Sequence, residues 1–312
     1  MVNAGSKLFK AAFVQMSMQW IKDAYNKHHK KFFIAPAILI VFALIALTSF
    51  YNTYGDIMDK DVSLKGGISA TVITEKIVDI DTLQVILGQQ FGDADVRRLT
   101  EFGTEKQTGI LVEISQTDET AFRQALEKEI GITLTDDNLS IEVVGSALGA
   151  SFYQQMIRAL LISFILIAIV VFIAFRSFIP AIATVASIVI DIMVTLAIIN
   201  LLGVKISTAG LAAFLLLIGY SVDSDMLLAS RAMKQKQGEL MDRVLSAIVT
   251  GLTMTITAIA AVFIGYMITT SVVLQEIFII LAVGLCVDVV VTYMLNAPIT
   301  IMKMKRKEGV SQ

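Results

Sequence analysis

The chain has little with which to cross-link itself or hold a metal. Its single cysteine, Cys286, lies inside an apolar run, so an intrachain disulfide is impossible and a metal–thiolate cluster has no support. There are only three prolines, Pro36, Pro180 and Pro298, and each falls near the end of an apolar run. Charge is scarce too: 17% of the 312 residues are charged against 56% hydrophobic, with a mean hydropathy of +0.75. That balance excludes an ordinary soluble domain, and with it a soluble enzyme. The net charge of −2 comes without any basic stripe interleaved with aromatics, so no nucleic-acid partner is expected. What remains is an integral membrane protein.

A helix needs about 20 apolar residues to cross a bilayer, and six stretches qualify: 32–51, 157–175, 179–202, 207–229, 246–267 and 276–302. The expected organisation is a cytoplasmic segment 1–31, a first span 32–51, a polar domain 52–150, five spans within 151–302, and a basic tail 303–312. Basic residues set the orientation. Lys22, Lys27, Lys30, Lys31, Arg176, Arg231, Lys234, Lys236, Arg243 and the tail "KMKRK" fall on one side of a six-span path, whereas the opposite loops hold only Lys205. Both termini are therefore expected in the cytoplasm of a cytoplasmic-membrane protein, with 52–150 outside and the first run an uncleaved anchor. Ahead of that run, Leu8, Phe9, Ala12, Phe13, Met16, Trp20 and Ala24 recur at helical spacing. The pattern suits a helix lying on the membrane surface, or equally one continuous with the first span.

The external stretch reads as a small α+β domain. The order is "GGISATVIT" as a strand, a helix through Ile80, Leu83, Leu87 and Phe91, then strands at "DADVRRLT" and "TGILVEIS". A second helix through Phe122, Ala125, Leu126 and Ile130 and a last strand "LSIEVVGS" complete it. Strand, helix, strand, strand, helix, strand is the ferredoxin-like arrangement. The domain lacks cysteine, histidine, a glycine-rich phosphate loop and any nucleophile beside a base. It reads as a docking or substrate-touching module, with no catalytic residue, cofactor or metal expected.

The chemistry lies in the spans. Asp191 in "IVIDIMVT", Asp223 and Asp225 in "LLIGYSVDSDMLLASR", and Asp288 in "LCVDVVVT" bring carboxylates to similar depths on three helices. Each ionised carboxylate facing lipid near the centre costs on the order of 3 kcal/mol, so they are expected to face a bundle interior. Hydroxyl stripes run alongside: Thr184, Ser187, Asp191 and Thr195; Ser246, Thr250, Thr253 and Thr257; Gly284, Asp288, Thr292 and Asn296. Such stripes alone signify close helix packing in lipid. The acids shift the reading, because no lysine, arginine or histidine lies within the core of any span. Carboxylates without a fixed partner can exchange protons with water that reaches them, as a proton or cation relay requires.

Several of these stretches resemble the SecF branch of the SecD/SecF family, which belongs to the RND superfamily. They are "LIGYSVDSDMLLASR", "IDIMVT", "VGSALGASFYQQMIRALLISFILIAIVVFIAFRSF" and "DKDVSLKGGISATV". The likeness runs from Phe32 to Pro298, and the "VDSD" form with Asp288 is archaeal in type. It implies an RND fold of six spans paired with six from SecD by pseudo-twofold symmetry. It also implies use of an ion gradient to help polypeptides emerge from a SecY-type channel, with SecD, that channel, the translocating polypeptide and lipid as partners. Asp191 falls on the family aspartate of the third span, where Ile190 replaces a histidine. In the fourth span Asp223 falls on a bacterial asparagine and Ser224 on its aspartate, while Asp223 matches the aspartate of the SecD motif "VDAN". Arg243 aligns with an arginine opening the fifth span.

The ion-pathway candidates are thus Asp191, Asp223, Asp225, Asp288 and Arg243, supported by Ser187, Thr195, Thr250, Thr253, Thr257 and Thr292. Two residues apart, Asp223 and Asp225 point about 160° from each other on a helix. Asp223 is assigned to the pathway with Asp191 and Asp288. Asp225 is assigned to a water-accessible entrance or to a basic helix-end partner. Two other functions fit the same composition: a subunit of an RND-type exporter of small molecules or lipids, and a passive assembly factor whose acids are structural.

Overall fold

The computed structural model describes Tyr25 and residues 31–100, 106–116, 118–235, 238–269 and 271–307. The amphipathic segment Leu8–Ala24 lies outside them. Among the described residues, five helices and a sixth interrupted by a π-turn are long and apolar enough to cross a membrane. They are α1 (Ile34–Tyr54), α5 (Ser146–Phe175), α6 (Phe178–Leu201), α7 (Thr208–Lys234), α8 (Leu240–Ile268) and α9 (Val272–Val291). The last continues through a π-turn, Thr292–Asn296, into α10 (Ala297–Lys307). Between α1 and α5 come α2 (Val62–Lys65), β1 (Gly67–Ile73), α3 (Ile80–Phe91), β2 (Ala94–Thr100), β3 (Gln107–Ile114), α4 (Glu119–Ile130) and β4 (Leu139–Val144). Two compact units result. One takes in Asp59–Ala159 with Lys205–Leu211, and the other holds the rest of the described chain.

In the polar unit the expected element order is present, and the strands form one antiparallel sheet in the order β2-β3-β1-β4. Alternation decides the faces. Ile68, Ala70 and Val72 of β1 join Ile110, Val112 and Ile114 of β3 beneath Leu83, Leu87 and Phe91 of α3 and Phe122 and Leu126 of α4. Asp79 and Asp118 start the two helices by accepting from the amides of Thr82 (3.4 Å) and Ala121 (3.1 Å). The double glycine of "KGGIS" is required by geometry. Gly66 and Gly67 have φ of 87° and 135°, and a Cβ on them would lie 2.4 Å from Ser146 Cα and 2.1 Å from the Ile114 carbonyl oxygen.

The unit's bounds differ from the expected 52–150 at both ends: it begins at Asp59 and runs on to Ala159. Helix α5 begins at Ser146, eleven residues before the expected span at 157, because its first turns pack as part of this unit. Residues 205–211 join it through the backbone: Ile206 forms a parallel bridge with Lys60, its amide donates to the Asp59 carbonyl (2.7 Å), and its carbonyl accepts from Asp61 (3.0 Å).

In the helical unit, α6 and α9 carry the central packing. Ala43 of α1 meets Val194, Ala197, Val287 and Val291, and Leu217 of α7 occupies the notch left by Gly284. A second cluster joins Leu228 and Ala232 of α7 to Val244, Leu245 and Ile248 of α8 and to Tyr293, Ala297 and Ile301. Pro36 and Pro180 sit in first turns, where a missing amide costs nothing. Pro298 does not: it lies inside the last helix, and the π-turn immediately precedes it.

Candidate functional site

Three helices bring Asp191, Asp225 and Asp288 together, each with at most 1% of its surface exposed. On α7 the buried positions Leu217, Ile218, Ser221, Ser224, Asp225 and Leu228 recur every three or four residues and so make one face. That face carries Ser221 and Asp225 inward. Ser221 Oγ donates to Asp191 Oδ2 at 2.7 Å. Thr292 Oγ1 lies 3.1 Å from Asp225 Oδ1 and 3.1 Å from Asp288 Oδ1, joining the two carboxyl groups. Asp288 is the middle member, close enough to interact with both of the others, and Thr184 and Asn296 stand beside Asp225. Among the described residues four buried oxygens here have no hydrogen-bond partner: Asp191 Oδ1, Asp225 Oδ2, and Ser187 Oγ and Thr195 Oγ1, one turn to either side of Asp191. Among the described residues none of the three carboxylates forms an ion pair with a basic side chain. Buried charge without a partner is expensive and is kept where a proton or cation passes.

Asp225, and not the expected Asp223, is the neighbour of Asp191 and Asp288 in this packing. Asp223 is exposed, on an outward stripe with Leu216, Gly219 and Tyr220, while Asp225 is enclosed. Arg243 is likewise away from the acids: its guanidinium binds the carbonyl of Gln235 in the loop before α8. Of the expected hydroxyl support, Ser187, Thr195 and Thr292 are buried at the cluster. Thr250, Thr253 and Thr257 are elsewhere. Thr253 and Thr257 are exposed, and all three hydroxyls bond to carbonyls of their own helix at 2.7–2.9 Å. A hydroxyl satisfied four residues back needs no neighbour, so its period does not say which way a helix faces. Ser221, legible as lying on the side of Asp225, is a donor that the expected supporting residues did not include. The available signal was its position one turn from Asp225 on the same face.

A second polar cluster lies in the sheet unit. Lys205 Nζ contacts Asp95 Oδ2 at 2.7 Å and Glu113 Oε2 at 2.5 Å, and these two acids are cross-strand neighbours on β2 and β3. Burial and the nearby Asp61 push the Glu113 carboxyl up to about 7, against the opposing pull of Lys205. Burial works against the Asp95 charge too, yet its bonds to Lys205 and Arg97 hold it below the usual carboxylate range. The ammonium is raised in turn: burial opposes its charge, but Glu113 and Asp95 outweigh that.

A family model described as protein export membrane protein SecD/SecF, C-terminal, matches residues 126–306. The protein-export membrane protein SecF of Methanolacinia petrolearia is 34% identical over 276 residues, covering 87% of this chain and 93% of its own. That of Pyrococcus furiosus is 31% identical over 283 residues, covering 90% and 93%. In three dimensions the chain is similar to the crystal structure of SecDF, a translocon-associated membrane protein from Thermus. The TM-score is 0.70 at 19% identity, over 89% of this chain and 38% of that longer one.

Proposed function

The chain belongs to the SecD/SecF family of protein-export membrane proteins, and we propose that its aspartates 191, 225 and 288 form the proton-exchanging site through which an ion gradient drives its work. It is a SecF-like, multi-pass membrane subunit that assists protein translocation. One observation carries the proton reading. Thr292 has a single hydroxyl hydrogen yet stands at hydrogen-bond distance from two carboxylate oxygens. Only one of those contacts can use it, so a proton on Asp225 or Asp288 completes the other. The unpaired oxygens of Asp191 and Asp225 offer further places for that proton. A proton crossing the membrane potential supplies about 2.3 kcal/mol per 100 mV, enough to bias a two-state equilibrium roughly fifty-fold.

In this reading SecD covers the outward stripe of α7 that includes Asp223, since a carboxylate left facing lipid is costly. Both termini are cytoplasmic, the sheet unit faces outward near a SecY-type channel, and an emerging polypeptide can pair with the open edge of β2 or β4.

The test is gradient-dependent export in membranes where the chain is assembled with SecD. Asp225→Asn is nearly isosteric but cannot ionise; it should leave assembly intact and lose the response to the gradient. Asp223→Asn should keep most of it. Full gradient response in Asp225→Asn would refute the reading.

A further inference from the structure

The sixth span is not a regular helix where it meets the carboxylates. In an unbroken α-helix the amide of Ala297 would bond the carbonyl of Tyr293, four residues back. Here it bonds the carbonyl of Thr292 instead, so the ladder has slipped by one. In the slipped ladder the next donor, the one due to Tyr293, belongs to residue 298. That residue is Pro298, which has no N–H. The Tyr293 carbonyl is therefore orphaned by its own helix, at a residue only 8% exposed. It is satisfied from far away in sequence: Tyr25 Oη donates to it at 2.6 Å.

Tyr25 is 4% exposed, and its ring stacks on Phe32 with centroids 4.6 Å apart. On the other side the phenol of Tyr293 fills the space above Gly251, where a Cβ would lie 2.2 Å from its Oη. The turn is thus gripped at both ends of one residue. Widened turns of this kind concentrate at functional sites because they re-aim neighbouring side chains. This one carries Thr292, which reaches Asp225 and Asp288, and Asn296, which stands beside Asp225.

We propose that Tyr25 is a positioning residue for the carboxylate site. Its hydroxyl holds the π-turn in the register that presents Thr292 and Asn296 to the acids. The cytoplasmic N-terminal segment is in this way coupled to proton exchange. The inference rests on the proton reading above, and it adds a residue outside the spans that touches none of the three carboxylates.

The experiment uses the full chain with SecD in lipid nanodiscs and follows the infrared band of protonated carboxyl groups against pH, together with gradient-driven export. Tyr25→Phe keeps the ring and its stacking and removes only the donor. The band's midpoint should be displaced by roughly half a pH unit or more, and export should slow by roughly fivefold, the effect of one buried hydrogen bond. Pro298→Ala restores an N–H that can serve the Tyr293 carbonyl, so on that background Tyr25→Phe should change export by less than about twofold. If Tyr25→Phe alone does not assemble, the same comparison decides: equal profiles for Pro298→Ala and the double variant support the latch, and a further loss in the double overturns it. A Tyr25→Phe protein indistinguishable from wild type overturns the latch and leaves the proton reading standing. A wild-type band that does not titrate, or that survives Asp225→Asn, overturns the proton reading and the latch with it.

Discussion

Asp223 and Asp225 show how far a residue can be read in isolation. Their opposite directions were legible, because these follow from position along a helix. Which one is enclosed was not, because α7 is apolar on both faces: Leu216 and Tyr220 lie beside Asp223, and Leu217 and Leu228 beside Asp225. A helix that is apolar all round has no hydrophobic stripe to mark its inner side. Glu113 is a second case, since nothing in "GILVEIS" announces that Lys205, 92 residues later, will meet it. Its pH behaviour can be derived. With the folded value near 7, above an ordinary 4.5, the native unit holds a proton that the unfolded chain releases. Stability from this group is therefore present below about pH 4.5 and lost as pH rises toward 7. Glu113→Gln cannot titrate, so hydrogen exchange of β3 in the full chain should lose that part of its pH dependence. An unchanged slope between pH 5 and pH 7, roughly the span between the two values, would assign the dependence to other groups.

At the scale of elements, the strand and helix order of the sheet unit was legible because alternation and helical period are local properties of sequence. The sixth span was legible as a span, but its π-turn was not. Pro298 was legible as lying near the end of the run, and α10 continues past it to Lys307, with the π-turn just before. The hydroxyl stripe of α8 did not mark the buried face: its threonines serve their own backbone, and the inward face includes Ala247, Gly251 and Thr255. The close packing at Gly251 is open to a double-mutant cycle. Gly251→Ala places a methyl 2.2 Å from Tyr293 Oη, and overpacking of this kind destabilises by about 1–3 kcal/mol. Tyr293→Phe removes the obstructing oxygen and should recover most of the loss. Thermal unfolding of the four proteins measures it; strictly additive effects would mean the contact is not the cause.

For the whole molecule, the outward stripe of α7 sets the strongest expectation. Gly219 has nothing within 4 Å of where its Cβ would be, so a larger residue there does not disturb the chain's own packing. If SecD covers this stripe, Gly219→Phe should leave the chain inserted and folded and sharply reduce its recovery with SecD. Undiminished co-purification would place the partner on another face.

The sequence by itself determined the solvent, the six spans, the ferredoxin-like order and the presence of acids at similar depths. Each of these depends on composition or on a period shorter than one helix. Only the tertiary structure decided that Asp191, Asp225 and Asp288 meet while Asp223 does not, that Lys205 closes on Glu113, and that Tyr25 serves a carbonyl 268 residues away. Those are pairings between distant segments. The polar stripes of α6 and of the sixth span mark inward faces at helical period. Which distant face each one meets, however, is fixed by shape and by the few polar groups that must find one another, and that pairing leaves no periodic trace in the sequence.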